Sequence, residues 1–120
     1  MIPKLLPLVG ACLIIAAPVS AWPQTQPGQG DPARGRRAFQ ETGCYACHGT
    51  VGQGGAWQGP KLAPDPISYD GFIAQLREPA RAMPRYSRDV LSDAEAADIY
   101  AYLKSIRRGK PAARIRILNP

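Results

Sequence analysis

The sequence predicts an all-α domain of about three helices joined by long loops, and three observations lead there. Helix-capping residues precede apolar positions at helical spacing in three places. No stretch alternates polar and apolar residues as a half-buried strand would. The 12 glycines and 13 prolines among 120 residues leave room only for short elements between long connections. A chain of this length supports one small domain, and the 45% hydrophobic and 20% charged residues are ordinary for a globular one.

Residues 1–21 read as an export signal. Lys4 supplies the positive start, Leu5 to Ala17 is an apolar run broken only by Pro7 and Gly10, and Val19-Ser20-Ala21 offers small residues for cleavage. A retained anchor is disfavoured, because the run is shorter than the ~20 residues of a spanning helix and ends at Pro18. Lipid attachment at Cys12 is disfavoured too, since it would leave Leu13 to Ala17 at the head of the mature chain. The expected mature protein therefore begins at Trp22, carries no stable membrane span and resides in the periplasm, with 14 basic and 9 acidic side chains in 99 residues.

Residues 22–30, with two prolines, two glycines and three glutamines, form a flexible leader. The domain occupies 31–108. Asp31 caps its first helix, Pro32 suits the first helical position, Ala33 to Glu41 continue it and Gly43 stops it. Gly49 to Pro66 holds five glycines and three prolines in eighteen residues and reads as a long loop. Ser68 caps a second helix through about Arg77, with Phe72, Ile73 and Leu76 on one face and Pro79 ending it. The last helix opens on a capping box, Ser92-Asp93-Ala94-Glu95, and continues through Ile99, Tyr102, Leu103 and Ile106. Arg107 and Arg108 suit its C-terminal dipole, and Gly109 and Pro111 terminate it. Residues 109–120 are a basic extension with Lys110, Arg114 and Arg116, read either as a disordered tail or as a segment that docks on a partner.

The rare residues limit the chemistry. His48 is the single histidine, the methionines are Met1 and Met83, and the cysteines are Cys12, Cys44 and Cys47. Mechanisms that need two histidines are excluded, which removes the zinc-protease helix and a haem ligated by two imidazoles. Cys44-Tyr45-Ala46-Cys47-His48 has the spacing of covalent haem c attachment, in which two sulfurs join the ring edge and the histidine reaches the iron. The other readings are a Cys44–Cys47 disulfide, a redox pair or half a zinc site. Zinc lacks enough nitrogen and sulfur ligands, and a thioredoxin-type pair would sit in a βαβ setting that is missing here. One haem c, covalent through Cys44 and Cys47, is the expected cofactor.

A histidine-bound haem leaves one axial position, for which Met83 is the candidate. Its thioether suits ferrous iron and raises the potential. Pro84 keeps it out of helix and in an extended loop. The competing reading has Met83 filling the core, with that face of the haem open to water or to a distant Lys or Tyr.

Together these residues resemble the class I monohaem c-type cytochromes, from about Asp31 to Arg108. Gly35 and Phe39 resemble the pair by which that family's first helix crosses its last, and Ile99 and Tyr102 match the other side. Gly59-Pro60-Lys61-Leu62 resembles the loop in which a proline carbonyl accepts the Nδ1 proton of the haem histidine, so the resemblance implies that Pro60 orients His48. Met83-Pro84 looks like the distal-ligand loop. The implied fold is cytochrome c-like, about three helices with long loops wrapped around one haem. Trp57 is read either as a hydrogen-bond donor to a haem propionate or as packing on the ring edge. Arg77 is read either as a propionate partner or as a solvated helix arginine. Tyr69 and Tyr86 are read as pocket wall.

The expected function is one-electron transfer with no substrate transformed: a soluble carrier passing electrons from a dehydrogenase to an oxidase or another cytochrome. The alternative is a tightly bound cytochrome subunit of a periplasmic dehydrogenase. A five-coordinate haem enzyme or gas sensor is disfavoured, because no second histidine can serve as a distal acid-base group. The formal net charge of +6 suits an acidic redox partner, and export argues against nucleic acid.

Overall fold

The computed structural model describes residues 29–55 and 59–118. The export signal, most of the leader and Trp57 lie outside the described residues. Four α-helices follow one another: α1 Pro32–Glu41, α2 Cys44–His48, α3 Tyr69–Arg77 and α4 Asp93–Ser105. Two single 3₁₀ turns, Ala112–Arg114 and Arg116–Leu118, come last. No strand occurs among the described residues.

The capping chemistry accounts for where three of these helices start. The Asp31 side chain accepts from the Arg34 N–H, Ser68 from Gly71, and Ser92 from Glu95, whose carboxylate in turn accepts from the Ser92 N–H. Each cap satisfies a donor that the first helical turn leaves orphaned. The additional helix is α2. Gly43 sits at φ 75° and turns the chain sharply off the end of α1, after which Cys44–His48 closes a short helix of its own. Five residues are too few for any hydrophobic period to register, so the sequence shows only the end of α1 there. The 109–120 extension likewise contains two turns, with Ile117 and Leu118 exposed.

Helices α1 and α4 cross closely. Gly35 is buried, and a Cβ built on it would fall on the Asp98 carbonyl of α4. Phe39, fully buried, fills the angle beside the crossing, with its ring 5.6 Å from that of Tyr102. Ile99, Leu103, Leu91, Phe72 and Leu76 complete the core. Tyr69 packs edge-on against Tyr100 at 5.2 Å, and the Tyr100 hydroxyl donates to the Ile67 carbonyl.

A buried carboxylate locks the crossing. Asp98 accepts from the Asp31 N–H at 2.6 Å and from Arg34 Nε and Nη2 at 2.7 and 3.0 Å. Burial pushes its carboxyl up, but the Arg34 hydrogen bond and the Asp31 N–H outweigh that, and the carboxyl is held below its usual range. A carboxyl whose folded value is depressed stabilises the fold above about pH 4 and loses that contribution as pH falls through the folded value. Asp98→Asn is therefore expected to cost about 1–3 kcal/mol at neutral pH, by leaving donors without a matching acceptor. It should also flatten the fall of melting temperature below pH 4, and a variant with an unchanged acid limb would contradict this role.

Candidate functional site

A cavity of about 1020 Å³ lies between α2, α3, α4 and the loops that join them, large among small-molecule sites of roughly 300–1,000 Å³. The apolar side chains of Phe39, Leu62, Phe72, Leu76, Ile99 and Leu103 form much of its wall. Cys44, Cys47, His48, Pro60 and Met83 all line it. Residues up to 64 positions apart in the chain thus meet in one space.

His48 is 7% exposed, and its Nδ1 lies 2.8 Å from the Pro60 carbonyl oxygen. A carbonyl only accepts, so Nδ1 carries the proton and the Nε2 lone pair remains free. The backbone fixes this arrangement on both sides. The Gly59 N–H donates to the Cys47 carbonyl at 2.6 Å and the Gly54 N–H to the His48 carbonyl at 2.8 Å. Gly59 lies so close that a Cβ there would stand 2.6 Å from His48 Cε1 and 2.7 Å from Nδ1.

Cys44 and Cys47 are free thiols rather than a disulfide, Cys44 half-buried and Cys47 exposed. Burial pushes the Cys44 thiol above its usual value, with the Thr42 hydroxyl, 3.2 Å away, pulling the other way. Such a position disfavours a thiolate, whereas a thioether carries no charge and sits there at no electrostatic cost.

Met83 enters from the long connection after α3. Arg81, which also lines the cavity, adopts φ 62°, a left-handed conformation that costs a non-glycine residue about 1 kcal/mol. Beyond Met83 the chain is anchored again. The Tyr86 N–H donates to the Leu76 carbonyl at 3.0 Å, and the Tyr86 hydroxyl donates to the Thr42 carbonyl at 3.2 Å, two residues ahead of Cys44. Tyr86 lines the cavity as expected; Tyr69 stands apart from it against Tyr100.

Arg77 lies away from the cavity lining. Its guanidinium donates to Asp93 at 2.6 Å and to the Tyr86 carbonyl at 2.9 Å. With the side chain only 13% exposed, it is not a solvated arginine but braces α3 to the Tyr86 strap and the start of α4. Arg88 pairs with the same carboxylate at 2.9 Å, and the two arginines hold the Asp93 carboxyl below its usual range. Sequence reading missed this brace because its partners stand 9 and 16 residues away. It missed the contact of Gly59 with the imidazole because glycine in a loop signals only a turn. Gln75 was missed as well: it sits on the cavity face of α3, three residues after Phe72, and lines the same space.

A helical domain that places a CxxCH helix, a proline carbonyl behind the histidine and a methionine loop around one apolar cavity defines a class I c-type cytochrome. Comparison with known families agrees: the family described as cytochrome c oxidase, cbb3-type, subunit III matches residues 30–103, and the chain belongs to it. Among curated proteins, the chain is 37% identical over 79 residues to the "cytochrome bc1 complex cytochrome c subunit" of Corynebacterium diphtheriae. It is 35% identical over 85 residues to the protein of the same description from Corynebacterium efficiens. These matches cover 64% and 67% of this chain but only 28% of each relative, so the chain spans under a third of their length. No solved structure matches significantly. Residues 30–103 thus form a c-type cytochrome domain, and haem c is the cofactor of its family. The residues present fit that group: the wall is apolar, His48 has a free Nε2, Met83 offers a thioether, and two unpaired thiols adjoin the same space.

Proposed function

We propose that the chain is an exported one-electron carrier that holds a single haem c through thioethers at Cys44 and Cys47, with His48 and Met83 as the axial ligands. When bound, that group supplies a one-electron iron couple. The chain does the rest. Pro60 accepts the Nδ1 proton of His48, which sets the tautomer and increases the basicity of Nε2. The Tyr86 strap holds the Met83 loop against α3. Phe39, Ile99 and Leu103 give the cavity an apolar wall, which would favour the less charged redox state of a haem bound there. Because His48 and the Met83 loop are held by an anchored frame, a bound iron would change oxidation state with neither residue displaced. The observation that carries the reading is the shared cavity of a buried, Pro60-bonded His48 and Met83.

Export to the periplasm and acceptance of electrons from a dehydrogenase complete the proposal. No helix among the described residues is long and apolar enough to cross a membrane. A second reading, in which the chain works as a cytochrome component bound within a larger respiratory complex, is favoured by the two relatives being described as subunits of the cytochrome bc1 complex. Gel filtration of the native extract separates the two, a large complex favouring the second.

The test uses protein exported with its haem. Mass spectrometry should find one haem adduct, and the oxidised protein should show a methionine–iron absorption band. Met83→Ala should remove that band and let the reduced protein bind carbon monoxide rapidly. A wild-type protein that lacks the band and already binds carbon monoxide rapidly would overturn the ligand assignment, and absence of the adduct would overturn the attachment.

A further inference from the structure

The net charge of the chain is confined to its end. The nine basic side chains up to Asp98 are matched by nine acidic ones, so the formal +6 resides in Lys104, Arg107, Arg108, Lys110, Arg114 and Arg116, and no acid follows Asp98. Arg107, Lys110, Arg114 and Arg116 are exposed and enter none of the ion pairs among the described residues. The same segment exposes aliphatic surface. Ile117 is 87% exposed, more than any other large hydrophobic residue described, and Leu118 is 60% exposed. The family match ends at residue 103, so this basic and aliphatic stretch is an addition to the cytochrome domain.

We propose that residues 107–118 are a docking segment that seats the protein on an anionic lipid surface. Charge and side-chain type choose that occupant. Each cation close to an anionic bilayer strengthens binding several-fold. An interfacial segment combines such cations with aliphatic side chains that enter the acyl boundary, while the arginines reach back to the headgroups. A protein partner is instead gripped by aromatic anchors at a centre depleted of charge; this segment holds no aromatic residue and alternates Arg114, Ile115, Arg116 and Ile117. Its backbone suits the boundary as well. The Arg114 N–H donates to the Pro111 carbonyl at 2.8 Å and the Leu118 N–H to the Ile115 carbonyl at 3.0 Å, so neither donor loses a partner on leaving water. The attachment has a direction. Arg108 donates to Asp65, and Asp65 lines the cavity, so the segment leaves the fold beside the cavity and docking would turn that flank toward the bilayer. None of residues 107–118 lines the cavity itself, which makes their role separable from haem ligation.

The experiment mixes protein exported with its haem with vesicles of phosphatidylcholine alone, or of phosphatidylcholine and phosphatidylglycerol in equal parts, and reads the sedimented fraction from haem absorbance. Wild type should bind the anionic vesicles at low salt, release them as salt is raised, and leave the neutral ones unbound. At about fivefold per cation, Arg114→Gln with Arg116→Gln should weaken binding about 25-fold. Ile117→Ser with Leu118→Ser should weaken it at least about tenfold, through the lost apolar burial. All four side chains are exposed, so both double variants should melt with wild type. Failure of wild type to bind anionic vesicles, the result expected of a segment that recognises an acidic protein instead, would overturn the proposal. Equal binding to neutral vesicles would overturn it too, as would wild-type affinity in either double variant. The haem adduct and the methionine–iron band should be the same in every protein, so failure here leaves the reading of the haem site standing.

Discussion

Gly35→Ala is expected to lower the melting temperature of the haem-loaded protein by about 12 °C or more. The sign is not obvious in advance. Alanine is the better helix former by about 1 kcal/mol, and at an exposed position within α1 the substitution would stabilise. At Gly35 the added Cβ would collide with the Asp98 carbonyl, and Asp98 C and Ile99 N lie just behind it. All three are backbone atoms of α4, so no rotamer change relieves the overlap; the helices must separate. Separation pulls Phe39 from Tyr102, which it meets at 5.6 Å, and loosens Asp98 from Arg34 and the Asp31 N–H. Overpacking of this kind costs about 3 kcal/mol, and each kcal/mol moves a domain of this size by about 4–8 °C. Thermal unfolding followed by far-ultraviolet circular dichroism measures it. A melting temperature at or above wild type would mean that the helices do not cross at Gly35.

That crossing also shows what the sequence makes legible. The caps at Asp31, Ser68 and Ser92 are local, because donor and acceptor stand three residues apart, and they mark helix starts that the structure reproduces. Cys44, Cys47 and His48 are equally local and declare a chemistry by spacing alone. What stayed hidden is non-local. The Asp98–Arg34 lock joins residues 64 positions apart, and a charged residue midway along a helix ordinarily reads as a solvated face. The Arg77 brace is hidden for the same reason, because Asp93 belongs to a different helix. Helix α2 was hidden for the opposite reason: it is so short that it has no period. Gln75 presents still another case, since a glutamine is a good helix former anywhere, and only its place on the cavity wall gives it meaning.

At the site itself the largest effect should come from Gly59→Ala. Its Cβ would stand 2.6 Å from His48 Cε1, 2.7 Å from Nδ1 and 3.1 Å from the Cys47 carbonyl oxygen. The first two atoms belong to a ring that cannot swing away. Its Nδ1 is held 2.8 Å from the Pro60 carbonyl, and the residue is only 7% exposed. Either the imidazole tilts and its hydrogen bond to Pro60 lengthens, or the loop backs off and the 2.6 Å bond from the Gly59 N–H to Cys47 opens. Both routes disturb the histidine rather than some distant packing contact. Overpacking at about 1–3 kcal/mol and a lost hydrogen bond at about 1 kcal/mol predict a melting temperature lower by roughly 10 °C or more, with an altered visible spectrum because the ligand is displaced. Pro60→Ala makes the contrast. The acceptor there is the backbone carbonyl, which alanine retains, so this variant should keep the wild-type spectrum and lose at most about 1 kcal/mol through greater freedom of the unfolded chain. If Gly59→Ala leaves both spectrum and melting temperature unchanged while Pro60→Ala alters them, the orientation of His48 comes from the proline ring and not from the close backbone approach that glycine permits.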